Sequence, residues 1–278
     1  MGWNAPRLPA VVFRTTKSLR IISIFGGSTQ CIEEPIEAIR NGIILANASP
    51  EMGEAVAEET LALILAAQYN LIPSSMAHKD SGKPDRTANL PNRSLTGTVI
   101  GLIGFGFIGR HVANMLKPFN VKLLIYDPYV KPDIIEKAHG KAVTLNELLT
   151  QSDIVSVHAG WTKETEGMLG ATQLDLLKHD ALVVSTARMP IFDQQALAQR
   201  VLAGKLRFAS DFIPYNPTIW ATPKMRSCPN IIAVHGGTSV TSRSIERMAH
   251  RVVTNIEQVF AGKMPDNIII EEWIKRTT

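Results

Sequence analysis

From Thr98 onward, short apolar runs rich in β-branched residues alternate with longer segments whose apolar positions recur at helical spacing. This alternation is typical of parallel strands joined by crossover helices. It predicts six strands in this part of the chain: residues 98–103, 121–126, 153–158, 181–185, 207–212 and 230–235. Six strands in βα alternation predict an α/β fold with a doubly wound parallel sheet.

Two further apolar runs, residues 19–24 and 42–46, precede this region and predict two more buried strands. Residues 54–69 follow them, and their apolar positions recur at the period of a helix. The segment 78–95, HKDSGKPDRTANLPNRSL, is polar and contains two prolines. We interpret this segment as the crossing between two domains.

Several helix boundaries are marked by residues that satisfy free backbone groups. Thr144 and Glu147 form a capping-box pattern, and Asp193 precedes the helical stretch 194–202. A long helix is expected over residues 242–260, closing at Ala261-Gly262, and residues 267–273 return as an apolar tail. The chain contains no internal repeat and no low-complexity tract.

Composition narrows the class of protein. The 278 residues suggest about two domains, and 45% hydrophobic with 19% charged residues excludes disordered and coiled-coil classes. The net charge is +4, but no basic stripe interleaves with aromatic residues, so we expect no nucleic-acid partner. The longest apolar run has seven residues, so we expect no membrane partner. Cys31 and Cys228 show no ligand or disulfide spacing, which predicts no metal site and a cytoplasmic location.

The strongest local motif is GFGFIG at residues 104–109, which follows an apolar strand and opens a helix. In a dinucleotide site Gly104 allows a tight turn, Gly106 lets the backbone approach a pyrophosphate, and Gly109 lets helix and strand pack closely. Asp127 ends the next strand, where its carboxylate would accept hydrogen bonds from the ribose and repel a 2′-phosphate. The motif therefore predicts NAD as cofactor. The alternative is an ordinary glycine turn with a solvated aspartate.

Further motifs follow in a recognisable order: VIGLIGFGFIGR, LLIYDP, SDIVSVHA, VVSTAR, FASDF and the His of AVHGG. The stretch 98–262 resembles the D-isomer-specific 2-hydroxyacid dehydrogenases, and the resemblance extends weakly back to about residue 19. It implies a Rossmann NAD-binding domain at residues 91–262. It also implies a smaller, discontinuous, flavodoxin-like substrate domain at residues 1–90 and 263–278, and a homodimer.

The resemblance implies reversible hydride transfer between NADH and a small 2-oxo acid, giving a D-2-hydroxy acid. Arg188 matches the residue that binds the substrate carboxylate and polarises its ketone, which requires a planar cation. His235 matches the acid/base, and Asn216 stands where the family has a glutamate beside that histidine. The alternatives are a surface arginine and a structural histidine at strand ends.

The resemblance also implies roles for residues outside the strongest motifs. Gly27 and Ser28 match a turn whose N–H groups take the substrate carboxylate, although a Gly-Gly turn needs no ligand. Asp211 matches the residue that holds the nicotinamide carboxamide, with a buried strand-end carboxylate as the alternative. The resemblance gives further cofactor contacts to Phe107, Ile108, His158, Ala187 and Gly237.

The sequence also departs from the family. Asn216 carries no charge to stabilise an imidazolium, so we expect 2-oxo acid reduction to fade at lower pH than in relatives with glutamate. Met189 and Gly160 replace a usual glycine and proline, so the sequence does not name the oxo acid. Few residues precede the first predicted strand, so the substrate domain is expected to be incomplete at its N-terminus. These departures leave open a non-catalytic NAD-binding scaffold or sensor.

Overall fold

The computed structural model describes residues 5–81, 91–211 and 216–277. The strands are β1 (Ile21–Ile24), β2 (Ile44–Asn47), β3 (Val99–Ile103), β4 (Lys122–Tyr126), β5 (Gly140–Ala142), β6 (Ile154–Val157), β7 (Ala181–Ser185), β8 (Leu206–Ser210) and β9 (Ile231–Ala233). The helices are α1 (Val11–Thr15), α2 (Pro35–Arg40), α3 (Ser49–Gln68), α4 (Leu71–Ser81), α5 (Phe107–Leu116), α6 (Pro132–Lys137), α7 (Leu145–Gln151), α8 (Ala171–Asp175), α9 (Gln194–Leu202), α10 (Pro217–Trp220), α11 (Pro223–Arg226), α12 (Ser242–Phe260) and α13 (Glu271–Thr277).

Seven of these strands form one parallel sheet in the order β5-β4-β3-β6-β7-β8-β9. The order runs outward in both directions from β3, whose Ile100 pairs with Leu123 on one side and Ile154 on the other. This confirms the predicted doubly wound sheet. Its topological switch point lies between β3 and β6, which is where ligands bind in such sheets.

All six strands predicted after Thr98 are present, and their ends lie close to the predicted ones within the described part of the chain. The seventh, β5, was missed because its three residues GKA contain no apolar run and none of them is buried. It is an edge strand, where burial does not impose a pattern on the sequence.

The central strands are buried along their whole length, because helices cover both faces of the sheet. This explains why these strands appear in the sequence as mainly apolar runs without a polar-apolar alternation. At the β8 end, Phe208 contacts the rings of Phe192 and Trp220. The core fixes the carboxyl ends of the strands as a rigid base for the loops that follow them.

The predicted helix boundaries are confirmed at three places. Thr144 and Glu147 form the capping box of α7, and Asp193 accepts a hydrogen bond from the backbone of Ala196 at the start of α9. Helix α12 ends at Ala261 before Gly262, whose φ is +74°. The helix after the glycine motif was expected over residues 110–117, but α5 begins earlier, at Phe107 inside the motif.

Contacts divide the chain into two compact units, one of Met1–Ala55, Gly160–Thr162 and Ser239–Thr278, the other of Val56–Ala159 and Lys163–Thr238. This division differs from the expected boundaries in two helices. Most of α3 groups with the large sheet, because its buried residues from Ala57 onward belong to that core. Helix α12 groups with β1 and β2 instead. As functional domains, the expected boundaries stay a prediction.

In the first unit the two predicted strands are present as β1 and β2; they pair in parallel, and Ala46 bridges the apolar tail at Ile268. In the second unit, part of the expected crossing segment, residues 82–90, lies outside the described residues. Among the helices that the structure describes, none combines the length and apolar character needed to cross a bilayer.

Candidate functional site

The turn between β3 and α5 is shaped by its three glycines. Gly104 has φ +93°, and a Cβ there would lie 2.7 Å from the backbone nitrogen of Ala159. A Cβ on Gly109 would lie 2.3 Å from the carbonyl oxygen of Gly104. Both positions therefore exclude any side chain, Gly104 for its backbone conformation and Gly109 for the close approach of helix to turn.

Gly106 differs from the other two glycines. It caps the N-terminus of α5 in an extended conformation, and nothing lies within 4 Å of a Cβ built on it. Phe107 is exposed and Ile108 half-buried in the first turn of α5. The open space and the first N–H groups of a ten-residue helix fit the pyrophosphate of a dinucleotide.

Asp127 follows β4 and stabilises the glycine turn between β3 and α5 through hydrogen bonds. One of its carboxylate oxygens accepts a hydrogen bond from the backbone N–H of Phe105 at 2.7 Å, and the other accepts one from Tyr129 at 2.9 Å. A carboxylate oxygen has two acceptor positions, so Asp127 retains capacity for a ribose hydroxyl. The carboxylate thus fits the predicted role and also holds the turn in shape.

His158 follows β6, directly across the switch point. Its Nε2 lies 2.9 Å from Ser156 Oγ, while its buried Nδ1 has no hydrogen-bond partner among the described residues. Burial lowers the pKa of His158 to about 4, so the ring is neutral near pH 7. His158 therefore brings a polar atom, but no charge, to the end of β6.

Arg188 lies in the turn after β7, and both sides of that turn are anchored. Before it, Ser185 Oγ accepts a hydrogen bond from the Ala187 N–H at 3.3 Å. After it, Met189 is completely buried at the start of a 3-10 turn. Burying Met189 leaves Arg188 exposed at the carboxyl end of the sheet, so the substitution of methionine for the family's usual glycine fixes the turn rather than loosening it.

Asp211 follows β8, the next strand in the sheet. It is 7% exposed, and its Oδ1 has no hydrogen-bond partner among the described residues. Burial raises the pKa of Asp211 to about 6, and the positive charge of Arg188 partly opposes that rise. The structure therefore brings Arg188 and Asp211 together at adjacent strand ends.

His235 and Asn216 are not brought into contact. Asn216 caps α10, and its Oδ1 accepts hydrogen bonds from the Thr218 backbone N–H at 3.1 Å and from the Thr218 hydroxyl at 2.6 Å. His235 is exposed two residues after β9, beside Gly237 with φ +96°. No hydrogen bond joins the two side chains in the part of the chain described here. We expected Asn216 to orient His235 by a hydrogen bond, but in the structure Asn216 caps α10 instead.

Gly27 and Ser28 lie in the first unit, in the turn after β1. The Ser28 hydroxyl accepts a hydrogen bond from the Gln30 N–H at 3.2 Å. A Cβ on Gly27 would lie 2.7 Å from Ser49 Oγ, at the start of α3. Close packing thus explains the glycine without a ligand, and a role in substrate binding stays a prediction.

Thr60 was missed by the sequence analysis. It is fully buried in α3, and its hydroxyl donates to the Val56 carbonyl at 2.8 Å. Its oxygen lies 3.1 Å from the hydroxyl of Thr186, two residues before Arg188. Because the only Thr60 proton is engaged, Thr186 must be the donor. The signal in the sequence is a polar residue on the buried stripe Ala57, Thr60, Ile64 and Ala67 of an amphipathic helix.

Potential metal ligands and cysteines also occur in the described part of the chain. No group of three or more His, Cys, Asp or Glu side chains there is arranged to hold an ion. Cys31 and Cys228 are both free thiols and half-buried. The polar groups at the carboxyl ends of the strands therefore remain the candidate site.

Comparison with models of protein families shows which family the chain belongs to. Residues 60–235 match the model of the D-isomer specific 2-hydroxyacid dehydrogenase, NAD binding domain. The chain belongs to this family. The matched span contains the glycine turn, Asp127, Arg188, Asp211 and His235, so this D-2-hydroxyacid dehydrogenase family member carries its NAD-binding elements in the second unit.

Individual proteins similar to the chain have names consistent with this family. Over 97% of its length the chain is 30% identical to a glyoxylate reductase of Thermofilum pendens, covering 80% of that protein. Over 93% it is 30% identical to a D-3-phosphoglycerate dehydrogenase of Methanocaldococcus jannaschii, of which it spans 49%. The TT0316 protein of Thermus thermophilus has a similar fold, with TM-score 0.78, 28% identity, and 95% and 83% of the two chains covered.

Proposed function

We propose that this chain reduces small 2-oxo acids to D-2-hydroxy acids with NADH, in a reversible reaction. The observation that carries the proposal is the placement of an exposed guanidinium, Arg188, and a buried carboxyl, Asp211, within electrostatic reach of each other at adjacent carboxyl ends of the sheet. Similarity to a protein named glyoxylate reductase supports a small oxo acid as substrate class.

The second unit has the groups that would hold the coenzyme. The N–H groups at the start of α5 would take the pyrophosphate above Gly106, and Asp127 would accept the ribose hydroxyls. When bound, NADH supplies a hydride. The free Asp211 oxygen and the Ala187 backbone would orient the carboxamide end, with His158 and Gly237 lining the same edge.

Arg188 would bind the carboxylate of the substrate through its planar fork of N–H donors. The same cation polarises the ketone, because negative charge develops on that oxygen as its carbon is reduced. The anchors at Ser185 and Met189 hold the turn in place before substrate arrives. Binding therefore requires little ordering of this loop.

His235 would supply the proton. As the carbonyl carbon gains the hydride, the oxygen gains the His235 proton, and a hydroxyl group results. In the reverse direction the neutral imidazole takes that proton back. Because Asn216 is uncharged and its oxygen caps α10, His235 must act without the carboxylate that the family resemblance leads one to expect at this position.

The test is a steady-state assay of NADH oxidation with glyoxylate, pyruvate, hydroxypyruvate and bulkier oxo acids. We expect turnover with at least one small oxo acid, and a loss of about 10²- to 10⁴-fold in His235→Ala, because general acid catalysis contributes that much. Arg188→Gln should raise KM and also lower kcat, because it removes the cation that binds the carboxylate and polarises the ketone. NADH fluorescence titration of both variants serves as the control, since neither change should abolish coenzyme binding.

A second candidate, a non-catalytic NAD-binding scaffold, is favoured by the engagement of Asn216 with Thr218 instead of His235. Tight NADH binding without turnover on any oxo acid would favour the scaffold and contradict the reductase. The expected homodimer and cytoplasmic location are also proposals, and sedimentation velocity tests the first.

A further inference from the structure

A second polar cavity lies at the opposite edge of the seven-stranded sheet from the glycine turn. It has a volume of about 250 Å³ and is lined at the amino ends of the strands by charged side chains that include Arg93, Asp153, Lys178, Asp180 and Arg207. We call this the amino-edge cavity. A water molecule takes about 30 Å³ in the liquid, so the space admits a small hydrated anion.

The cavity is separate from the coenzyme site. Val99 begins β3 near the cavity, and Gly104 follows the last residue of the same strand. At about 3.3 Å per residue the two lie roughly 16 Å apart along the strand. A ligand here would not touch the glycine turn.

Two arginines share one carboxylate in this cavity. Asp180 forms ion pairs with both Arg93 and Arg207, and its backbone is in the left-handed region with φ +65°. An aspartate held in that conformation is positioned by its surroundings. Lys178 pairs separately with Asp153 at 2.7 Å, and Asp153 also accepts the Val99 N–H. One of the three cations therefore has no counter-charge among the lining residues.

The excess charge is held in place. Arg207 is only 8% exposed and donates to the Ala67 carbonyl, to Gln68 Oε1 and to the Asp180 backbone, so it cannot turn away. Arg93 donates to the Pro91 carbonyl and to Asp180, which leaves further N–H groups of its guanidinium without an acceptor among the described residues. Burial and the charge of Arg93 together lower the pKa of Arg207. An anion in the cavity would relieve the repulsion between the two guanidinium groups.

We propose that the amino-edge cavity binds a small oxyanion, the carboxylate or phosphate group of a metabolite, through Arg93 and Lys178. These side chains are partly exposed, at 27% and 42%, whereas Arg207 acts as a fixed buried charge behind them. The guanidinium fork suits a planar or tetrahedral oxyanion, and the ammonium adds a point charge. The site is independent of the proposed reductase activity.

Isothermal titration with inorganic phosphate, at constant ionic strength and with saturating NADH, tests this site. We expect saturable binding to one site, weakened about tenfold in Arg93→Gln, because a hydrogen bond to a charged group contributes about that much. Arg200→Gln is the matched control, since Arg200 is ion-paired with Asp175 at another place in the same unit. Its phosphate affinity should equal that of the parent.

Titration with malonate under the same conditions shows whether the site prefers a carboxylate or a phosphate group. Binding of malonate alone assigns the site to carboxylates, and binding of phosphate alone assigns it to phosphate groups. The proposal is overturned if neither anion binds with NADH present, or if Arg93→Gln binds both as tightly as Arg200→Gln. Urea denaturation of each variant shows whether it is still folded, so that a loss of anion affinity can be assigned to the missing side chain and not to misfolding.

Discussion

The two edges of the seven-stranded sheet differ in how their polar side chains are partnered. At the carboxyl edge, where β6 and β8 end, His158 Nδ1 and Asp211 Oδ1 are buried without partners in the described structure. At the amino edge, where β6 and β7 begin, Asp153 and Asp180 are both ion-paired. Unpaired buried groups are costly, so they persist where a ligand completes them. The carboxyl edge thus leaves buried polar atoms for a ligand to complete, whereas the amino edge neutralises its own carboxylates and keeps one cation in excess.

The largest expected effect is at the amino edge. Arg207→Met should lower the free energy of unfolding by about 3 kcal/mol, because it leaves the Ala67 carbonyl and Gln68 Oε1 without their buried donor and removes one ion pair of the half-buried Asp180. NADH affinity should be unchanged. Lys137→Met removes an exposed ion pair with Asp133 and should cost less than about 0.5 kcal/mol. Both free energies of unfolding are measured by urea denaturation. Equal losses in Arg207→Met and Lys137→Met would show that the amino-edge contacts stabilise the protein no more than an exposed ion pair does.

At the carboxyl edge, Gly109→Ala should destabilise by about 2 kcal/mol, because its Cβ forces α5 away from the Gly104 carbonyl. Gly106→Ala is the matched variant, since its Cβ meets no protein atom within 4 Å. It should leave stability within about 0.5 kcal/mol of the parent while weakening NADH binding about tenfold, as its methyl group enters the space for the pyrophosphate. Calorimetry and fluorescence titration measure the two effects. A stable Gly109→Ala protein would refute the packing argument.

Asp211→Asn should stabilise the protein by about 1.5 kcal/mol at pH 8, because burial disfavours the ionised carboxylate. The folded pKa of about 6 is above the ordinary value of 3.8. The stability that Asp211 contributes is therefore present below about pH 4 and lost as the pH rises through 6. The advantage of the variant should vanish in acid. Asp133→Asn, on exposed α6, should show no such dependence, and a constant difference in both variants would argue against the assignment.

The smallest expected effect is at Thr60. Thr60→Val removes the acceptor for the Thr186 hydroxyl and should cost about 1 kcal/mol in stability. It should also raise KM for the oxo acid more than it lowers kcat, since the turn that carries Arg188 loses an anchor. Thr60→Ser should restore both values. A serine variant no better than valine would show that only packing matters at this position.

The sequence predicted the parts of the fold that burial dictates. The central strands are buried on both faces, so their apolar runs were visible, whereas β5 at the edge was not. The glycine turn was recognisable because close packing at Gly104 and Gly109 leaves no choice of residue. The chain also contained the family motifs that place Arg188 and His235 at strand ends.

The sequence could not show which partner a polar side chain takes. Asn216 has helix-capping preference, and the Thr218 N–H and hydroxyl, two residues away, compete for its oxygen. The hydroxyl of Thr60 meets that of Thr186 only through the packing of α3, 126 positions away in the chain. Such contacts depend on tertiary geometry, which no local pattern encodes.

Asp127 binds two backbone N–H groups, one of them within the glycine turn. The proposed ribose contact and the local architecture therefore depend on a single side chain. A lineage adapting to a differently phosphorylated dinucleotide could not simply discard this carboxylate, because Phe105 would lose its acceptor. Another side chain would first have to accept the Phe105 N–H. We therefore expect a change of coenzyme to require more than one substitution.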